Sequence, residues 1–446
     1  MMKFLETLKN IWKIEDLRTK ILTTLLFILI YRFGSFIVLP GIDPSALTAL
    51  KSQTSGGLLS LLDMFSGGAF SNASIFALGI MPYISASIVI QLLTIAVPYF
   101  QKMQRDGESG RRKMNQITRY LTVAILLLQG PSYLVNLSTQ LTQAGAIIEW
   151  DWWFKISSTI ILCAGSMFVM WLGERMTDKG IGNGISMLIM IGIIARFPAA
   201  IMQEFISRLG DAGGGLIMFL GEIVVLLLVI AGSILLVQGT RKVPVQYAKR
   251  VVGNKQYGGV RQYIPLKVNA AGVMPIIFAQ AIMMVPIMIA GFNPEKFNNF
   301  MRVFMDNTSF WYNFVFALMI IAFTYFYTAI TINPTQMAED MKRNNGFIPG
   351  VKPGKKTAEY IDVIMSRITL PGSFFLALVA IMPAFASIFG ITGSFAQFYG
   401  GTSLLILVGV VLDTLQQIES HLLMRHYDGL LKSGRIKGRT GSIAAY

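Results

Sequence analysis

Few side chains of this sequence combine a type and a spacing that would support catalysis or metal binding. The single cysteine, Cys163, lies inside an apolar run, so no disulfide can form within the chain. His421 and His426 lie at or beyond the end of the last apolar segment, which leaves them too isolated for a metal site. The stretch KGIGNGIS at 179–186 lacks the last glycine of a dinucleotide-binding motif and a strand before it. The sequence therefore predicts no enzyme activity, no metal and no cofactor.

Ionisable residues inside apolar segments would be typical of an ion- or proton-coupled transporter. Arg32 and Glu222 fall near the ends of such segments, and only Asp413 falls well inside one. A secondary transporter with inverted repeats is the alternative to a passive channel, but it predicts more coupling charges than this one acid. We interpret Asp413 as a structural group that is paired with a neighbour.

The composition requires a lipid bilayer as part of the solvent. Hydrophobic residues make up 54% of the 446 residues and charged residues only 14%, whereas soluble domains carry about 25% charged residues. A helix needs about twenty apolar residues to cross a bilayer. Runs of that length predict ten spans, at 19–38, 75–97, 117–136, 154–173, 184–202, 215–238, 270–291, 311–331, 370–390 and 402–422.

The distribution of positive charge predicts the orientation of these spans. If the N-terminus is cytosolic, 31 of the 38 lysines and arginines fall on the cytosolic side, as the positive-inside rule requires. The outer loops hold only four of them, which are Lys51, Arg208, Lys296 and Arg302. Both termini are therefore predicted to be cytosolic. Residues 1–18 mix charged and apolar positions and predict a cytosolic amphipathic helix rather than a signal peptide.

A short apolar piece follows the first span, at residues 58–65 within 56–68, and glycine pairs flank it on both sides. Eight residues are too few to cross a bilayer, because a helix rises about 1.5 Å per residue. The piece is either a folded-back half-helix, which needs protein or water around it, or a helix lying on the membrane surface. Its residues alone do not decide between the two.

Two of the predicted cytosolic loops, 239–268 and 332–368, are basic and far longer than a turn requires. Their charge has a simple explanation in topology and anionic lipid. Their length favours a second role as a docking surface for an acidic partner, such as ribosomal RNA.

Seven motifs occur in one order and spacing from residue 15 to the C-terminus, and each lies at a landmark of the predicted topology. They are GIMPYISASIVIQLLT (79–94), GESGRRK (107–113), RYLT (119–122), MWLGERMTDKGIGNGIS (170–186), PLKVNAAGVMP (265–275), GFIPGVKPGKKTAEYI (346–361) and FYGGTSLLILVGV (398–410). In these motifs the chain resembles the SecY family of protein-conducting channels, over nearly its whole length.

The resemblance implies an all-α membrane protein whose ten helices form two pseudo-symmetric halves, spans one to five and six to ten, around an hourglass pore. The implied domains are the cytosolic N-terminus 1–18, a first half 19–202, a second half 203–422 and a cytosolic tail 423–446. Segment 56–68 then matches the family's plug, a short re-entrant helix that closes the pore from outside. The plug residues are Leu58, Leu59, Leu61, Leu62, Met64 and Phe65.

The family's constriction ring corresponds here to six isoleucines: Ile80, Ile84, Ile185, Ile189, Ile277 and Ile406. Residues i and i+4 share a helix face, and stiff β-branched side chains can exclude water without binding a passing peptide. The resemblance also implies a lateral gate between spans two–three and seven–eight, where Gln91 and Asn269 match polar positions. Amides inside a bilayer require partners, and exchanging those partners would make a latch.

The long basic loops match the family's docking sites for the SecA motor and the ribosome. The matching residues are Arg241, Lys242, Lys249, Arg250, Arg343 and Lys352. Lys352 stands where the family usually has arginine. The lysine retains the positive charge but lacks the planar guanidinium that can form two parallel hydrogen bonds. The resemblance further implies SecE-like and SecG-like small membrane subunits, signal sequences, nascent polypeptides and lipids as partners. The implied location is the bacterial cytoplasmic membrane.

Overall fold

The computed structural model describes Trp12 and residues 14–42, 63–143, 151–210, 215–247, 250–252, 255–257, 261–280, 282–283 and 309–432. Most of the predicted N-terminal helix at 1–18, plug residues 58–62, residues 281 and 284–291 of the seventh span and the end of the tail lie outside these residues.

Helices account for most of the described chain. In order they are α1 (Glu15–Gly34), α2 (Met81–Ala96), α3 (Pro98–Arg105), α4 (Glu108–Gln143), α5 (Trp152–Lys179), α6 (Gly184–Leu209), α7 (Gly215–Gln238), α8 (274–280), α9 (Phe310–Thr331), α10 (Pro334–Arg343), α11 (Lys355–Ile388), α12 (Gly393–Ala396) and α13 (Gly401–Lys432).

The apolar runs form helices because a bilayer offers the backbone no other hydrogen-bond partners. Within the described residues, six helices are long and apolar enough to cross a membrane: α5, α6, α7, α9 with its continuation α10, α11 and α13. The pair α2 and α3, which bends by 101° near Val97, adds a seventh if it counts as one span. The chain is therefore a multi-pass helical membrane protein.

The helix bounds differ from the predicted spans mainly at their ends. Helix α2 begins at Met81 rather than 75, because residues 74–80 form a bridge and turns beneath it. Helix α6 runs past the predicted end at 202 to Leu209. Helix α11 begins at Lys355, fifteen residues before the predicted 370, and α13 continues to Lys432. Hydropathy detects only the apolar part of a helix, whereas the backbone hydrogen bonds continue into water.

The two basic loops form one small β-sheet, for which the sequence analysis predicted no secondary structure. Strand β1 (Thr240–Tyr247) pairs antiparallel with β4 (Arg261–Lys267) and with β5 (Gly346–Phe347), which belongs to the second loop. Strands β2 (Arg250–Val252) and β3 (Lys255–Tyr257) form a separate hairpin. The three-stranded sheet covers its own buried cluster, which includes Val243, Val245, Leu266, Met341 and Ile361. This side of the molecule is called the sheet side below.

The opposite side carries residues 63–80 and the turns after α6 and α11, and it is called the plug side. Three buried apolar clusters lie within the membrane part of the described chain. One packs α4 and α5 against residues 70–78, and a second packs α7, α8 and α9 against α11 and α13. The third and central cluster brings both of these regions together around the candidate site.

Candidate functional site

Four of the six isoleucines surround a small void at the centre of the molecule. Ile84 of α2, Ile189 of α6, Ile277 of α8 and Ile406 of α13 line it together with Phe65 of the plug segment. Its volume of about 20 Å³ is enough for roughly one water molecule, but a water needs polar partners. Because its walls are almost entirely apolar, the void favours a dry state.

Three of these isoleucines also form the floor of a larger cavity on the sheet side. Ile189, Ile277 and Ile406 line both spaces, so a single layer of side chains separates them. The larger cavity measures about 330 Å³, and its walls include Asn183, Gln238, Lys267, Asn269 and Asp413. A cavity with several polar residues in its walls therefore ends on an apolar septum at the centre of the membrane part.

The remaining two isoleucines belong to the same central cluster but line neither space. Ile80 caps the start of α2, and its carbonyl oxygen accepts a hydrogen bond of 3.1 Å from the Ile84 amide. Ile185 lies against α5, where a Cβ on Gly173 would come within 3.0 Å of its Cγ1. The structure thus brings all six isoleucines into one cluster and places four of them at the void.

The first turn of α6 starts deep in the protein because the loop before it is buried. The Ile181 amide donates to Thr24 Oγ1 at 3.1 Å, and the Gly182 amide donates to Gln417 Oε1 at 2.9 Å. These bonds join α6 to α1 and α13, and Asn183 caps the helix through the Ile185 amide. Ile185, the second residue of this helix, is half-buried.

The described part of the plug segment, residues 63–68, lies on the central cluster. Met64 and Phe65 are buried in it, whereas Leu58, Leu59, Leu61 and Leu62 lie outside the described residues. Tyr31 Oη donates to the Ser66 carbonyl at 3.2 Å, and Arg32 Nη1 donates to the Gly67 carbonyl at 2.8 Å. Two side chains of α1 thus hold the backbone of this segment over the void.

A buried ionic cluster at the plug side was not predicted from the sequence. Arg208 contacts Glu204 at 2.9 Å and Glu222 at 2.6 Å. The second carboxylate oxygen of Glu204 accepts a 2.9 Å hydrogen bond from the Thr392 amide. The cluster joins α6, α7 and the turn after α11, with two carboxylates for one guanidinium. Glu204 is fully buried although it lies beyond the predicted end of its span.

The predicted gate residues lie in different surroundings. Gln91 donates at 3.4 Å to Ser87 of its own helix. Asn269 is buried at the larger cavity, and its side-chain oxygen has no hydrogen-bond partner among the described residues. No hydrogen bond joins the two in the described part of the chain. Ser85 of α2 and Gln280 of α8, which were not predicted as gate residues, both line the central void.

The predicted docking residues that the structure describes are exposed. Arg241 and Lys242 lie on β1, Arg343 ends α10, and Lys352 lies in the turn before α11. Lys249 and the side chain of Arg250 lie outside the described residues. The four described cations all belong to the unit built on the three-stranded sheet.

Asp413, which was predicted to be paired with a neighbour, forms no ion pair within the described residues. Its side chain is exposed at the wall of the larger cavity. Its carboxylate accepts a long hydrogen bond of 3.4 Å from Gln417 on the same helix. The residue adds negative charge to the sheet-side cavity instead of bracing two helices.

The fold and the site together define a class of protein: a multi-pass helical membrane protein with an apolar septum at its centre. A family model described as SecY matches residues 74–415. The protein translocase subunit SecY of Streptomyces scabiei is 44% identical over 433 residues, which cover 94% of this chain and 98% of that one. The chain belongs to the SecY family, which confirms the resemblance in its motifs.

Two solved structures share the fold. One is a SecY protein whose plug domain is described as stabilising the closed state of the translocation channel and maintaining a membrane seal. The match has a TM-score of 0.62 at 16% sequence identity, and it covers 90% of this chain and 92% of the solved chain. The other is Sec61 in the canine ribosome–channel complex, with a TM-score of 0.56 at 15% identity, which covers 90% of this chain and 92% of that one.

Proposed function

We propose that the chain is the channel subunit that passes unfolded secretory polypeptides across the cytoplasmic membrane and releases membrane-protein segments sideways into the lipid. The observation that carries this proposal is the septum of Ile189, Ile277 and Ile406 between the apolar central void and the larger cavity on the sheet side. Apolar side chains of this kind exclude ions by excluding water, yet they offer no fixed partner to a passing peptide.

The rest of the proposed architecture follows from this pore. We place the sheet side and both termini in the cytosol and the plug side outside, with the two halves 19–202 and 203–422 around the pore. The seam between α2 and α8, where Ser85 and Gln280 meet the void, is the proposed exit to the lipid. No catalytic step is part of the proposal, because transport is driven by partners.

We propose the SecA motor and the ribosome as those partners, docked on the exposed cations of the sheet unit. The canine Sec61 relative is a ribosome–channel complex, and a cluster of exposed basic side chains suits an RNA or acidic surface. SecE-like and SecG-like subunits would cover part of the exposed apolar helix faces, such as that of α7.

The test is to stall a secretory polypeptide in mid-passage and to crosslink it to single cysteines at Ile84 and Ile277. Cys163 is first replaced by serine, since it is the only native cysteine. Matched control cysteines replace Leu128 and Leu228, which are 77% and 67% exposed on outer helix faces. We expect crosslinks at Ile84 and Ile277 alone. Crosslinks at the control positions without any at the isoleucines would overturn the proposed pore.

A further inference from the structure

An ion pair ties the described end of the plug segment to α6. Asp63 is fully buried, and its Oδ1 accepts a 2.8 Å hydrogen bond from the Ser71 amide. Its other carboxylate oxygen pairs with Nη2 of Arg196, which also donates to Ser71 Oγ at 3.0 Å. A carboxylate that is removed from water needs such partners, because burial of an unpaired charge is strongly unfavourable.

Arg196 lies on the same face of α6 as Ile189, the residue that this helix contributes to the septum. It follows Ile189 by seven residues, which is about two helical turns or roughly 10 Å along the axis. Residues spaced by seven share a helix face. One stripe of α6 therefore carries both a septum isoleucine and the cation that contacts the plug segment.

Between these two residues, Gly192 allows the plug segment to approach the helix backbone. A Cβ on Gly192 would come within 3.0 Å of the Phe65 carbonyl oxygen and 3.1 Å of the Gly67 amide nitrogen. Gly67 in turn has a φ of 65°, a conformation that favours glycine. The segment thus packs directly against the backbone of α6, and the ion pair lies at one edge of this contact.

The ion pair differs from the other contacts that hold this segment. Tyr31 and Arg32 bind the carbonyl oxygens of Ser66 and Gly67, and every residue type supplies a carbonyl. Arg196 instead binds the side chain of Asp63. It also keeps partial access to water, with a side chain 31% exposed, whereas the Asp63 side chain has none.

We propose that the Asp63–Arg196 ion pair latches the plug segment onto α6 in the idle channel, with Arg196 as the positioning residue. This inference rests on the proposed channel function. Displacement of the plug must separate the two charges, and Asp63 must then reach water or another cation. The closed state is therefore favoured until the ion pair separates and Asp63 gains water or another cation in the same step.

The test measures ion conductance through idle channels, using the full chain with its small subunits in reconstituted vesicles. The variants are Asp63→Asn, which keeps the shape and the Ser71 hydrogen bond, Arg196→Gln, and the double variant. The matched control is Arg119→Gln, which breaks an arginine–glutamate pair between α4 and α5 without touching the plug segment. Export of an ordinary precursor is measured in the same vesicles after addition of the proposed SecA motor.

We expect each single variant to raise idle conductance about tenfold, less than loss of a fully buried pair would imply, because Arg196 is partly exposed. The double variant should leak no more than either single one, since both remove the same interaction. Arg119→Gln should leave conductance unchanged, and Arg196→Lys should seal nearly as well as the unmodified channel.

The latch is overturned if Asp63→Asn and Arg196→Gln seal like the unmodified channel, or if their effects multiply in the double variant. If Arg196→Gln fails to assemble, Asp63→Asn decides alone, because it replaces a single atom of the side chain. If the unmodified channel exports no precursor, the proposed function fails. If it exports normally and the variants stay sealed, only the latch fails.

Discussion

The centre of the molecule and its plug side are closed by different kinds of interaction. At the septum, Ile189, Ile277 and Ile406 meet through apolar contacts that have no fixed direction. At the plug side, Arg196 and Arg208 meet buried carboxylates through ion pairs and hydrogen bonds. Apolar contacts can be exchanged gradually for contacts with any passing side chain. Buried ion pairs separate in a discrete step, because each charge must be rehydrated.

Because of this difference in interactions, the septum and the plug side have different roles. The septum excludes ions while it stays permissive towards the sequence of the passing chain. The ionic clusters fix the geometry of the surrounding helices and of the plug segment. Variants of the Arg208 cluster should therefore act mainly on stability, whereas variants of the septum should act mainly on sealing.

The largest loss of stability is expected for Arg208→Gln. The substitution leaves Glu204 and Glu222 buried with no cation beside them, and loss of one partner from a buried pair costs about 3–5 kcal/mol. Thermal unfolding of the purified complex measures it. Arg119→Gln breaks an exposed pair and should cost about 1 kcal/mol at most. Equal melting temperatures for the two variants would contradict the structural role of the buried cluster.

The next effect is expected at the septum, where Ile84 and Ile277 are replaced together by glycine. We expect a clear rise in ion leak through idle channels, because the gate works by excluding water. The loss of stability should stay below the roughly 2–5 kcal/mol of a large-to-small change at a fully buried site, since both side chains are only partly buried. Unchanged conductance would contradict the assignment of these residues to the gate.

A smaller effect is expected where the two regions touch, for Gly192→Ala. The new Cβ would crowd Phe65 and Gly67, and overpacking of this kind typically costs about 1–3 kcal/mol. The plug segment should shift and idle conductance should rise. Gly221→Ala on α7 is the matched control, since a Cβ there meets nothing within 4 Å. Similar conductance for both variants would show that sealing does not depend on the close approach of the plug segment to Gly192.

The smallest effect is expected on the sheet, for the charge reversal of Arg241 and Lys242 to glutamate. Both are exposed, and surface charges contribute about 0.2–1 kcal/mol each. Binding of the motor or the ribosome should weaken at low salt, and the difference should shrink as salt is added. The stability of the channel in the absence of a partner should change little. Binding that is the same at low salt would leave these cations with a role in topology alone.

Much of the helical architecture could be predicted, because long apolar runs determine it. Span six was predicted at 215–238, the bounds of α7, and the span at 311–331 differs from α9 by one residue. The ends of α6 and α11 were missed because their last or first turns carry charged residues. Glu204 shows the reason: its charge placed it in a loop, yet Arg208 and Thr392 satisfy it inside a helix.

The sheet was missed although a signal for it is present. In β1 the buried Val243 and Val245 alternate with exposed residues, as in a half-buried strand. Pro244 and Pro265 within the paired strands argued against this interpretation, since proline cannot donate to a ladder. The Asp63–Arg196 pair had no such signal. Its partners are far apart in the chain, and only the folded structure brings them together.

The attachment of the sheet has a mechanical consequence. Strand β1 follows α7 after Gly239 alone, Thr240 pairs with Lys267, and the Val268 amide continues this ladder with a bond of 2.9 Å to the Gly239 carbonyl. The same chain then enters α8 and reaches Ile277. A partner that pulls or twists the sheet therefore transmits force along this short, hydrogen-bonded connection to Ile277, which forms one wall of the septum. The surrounding lipid is not needed to transmit the force.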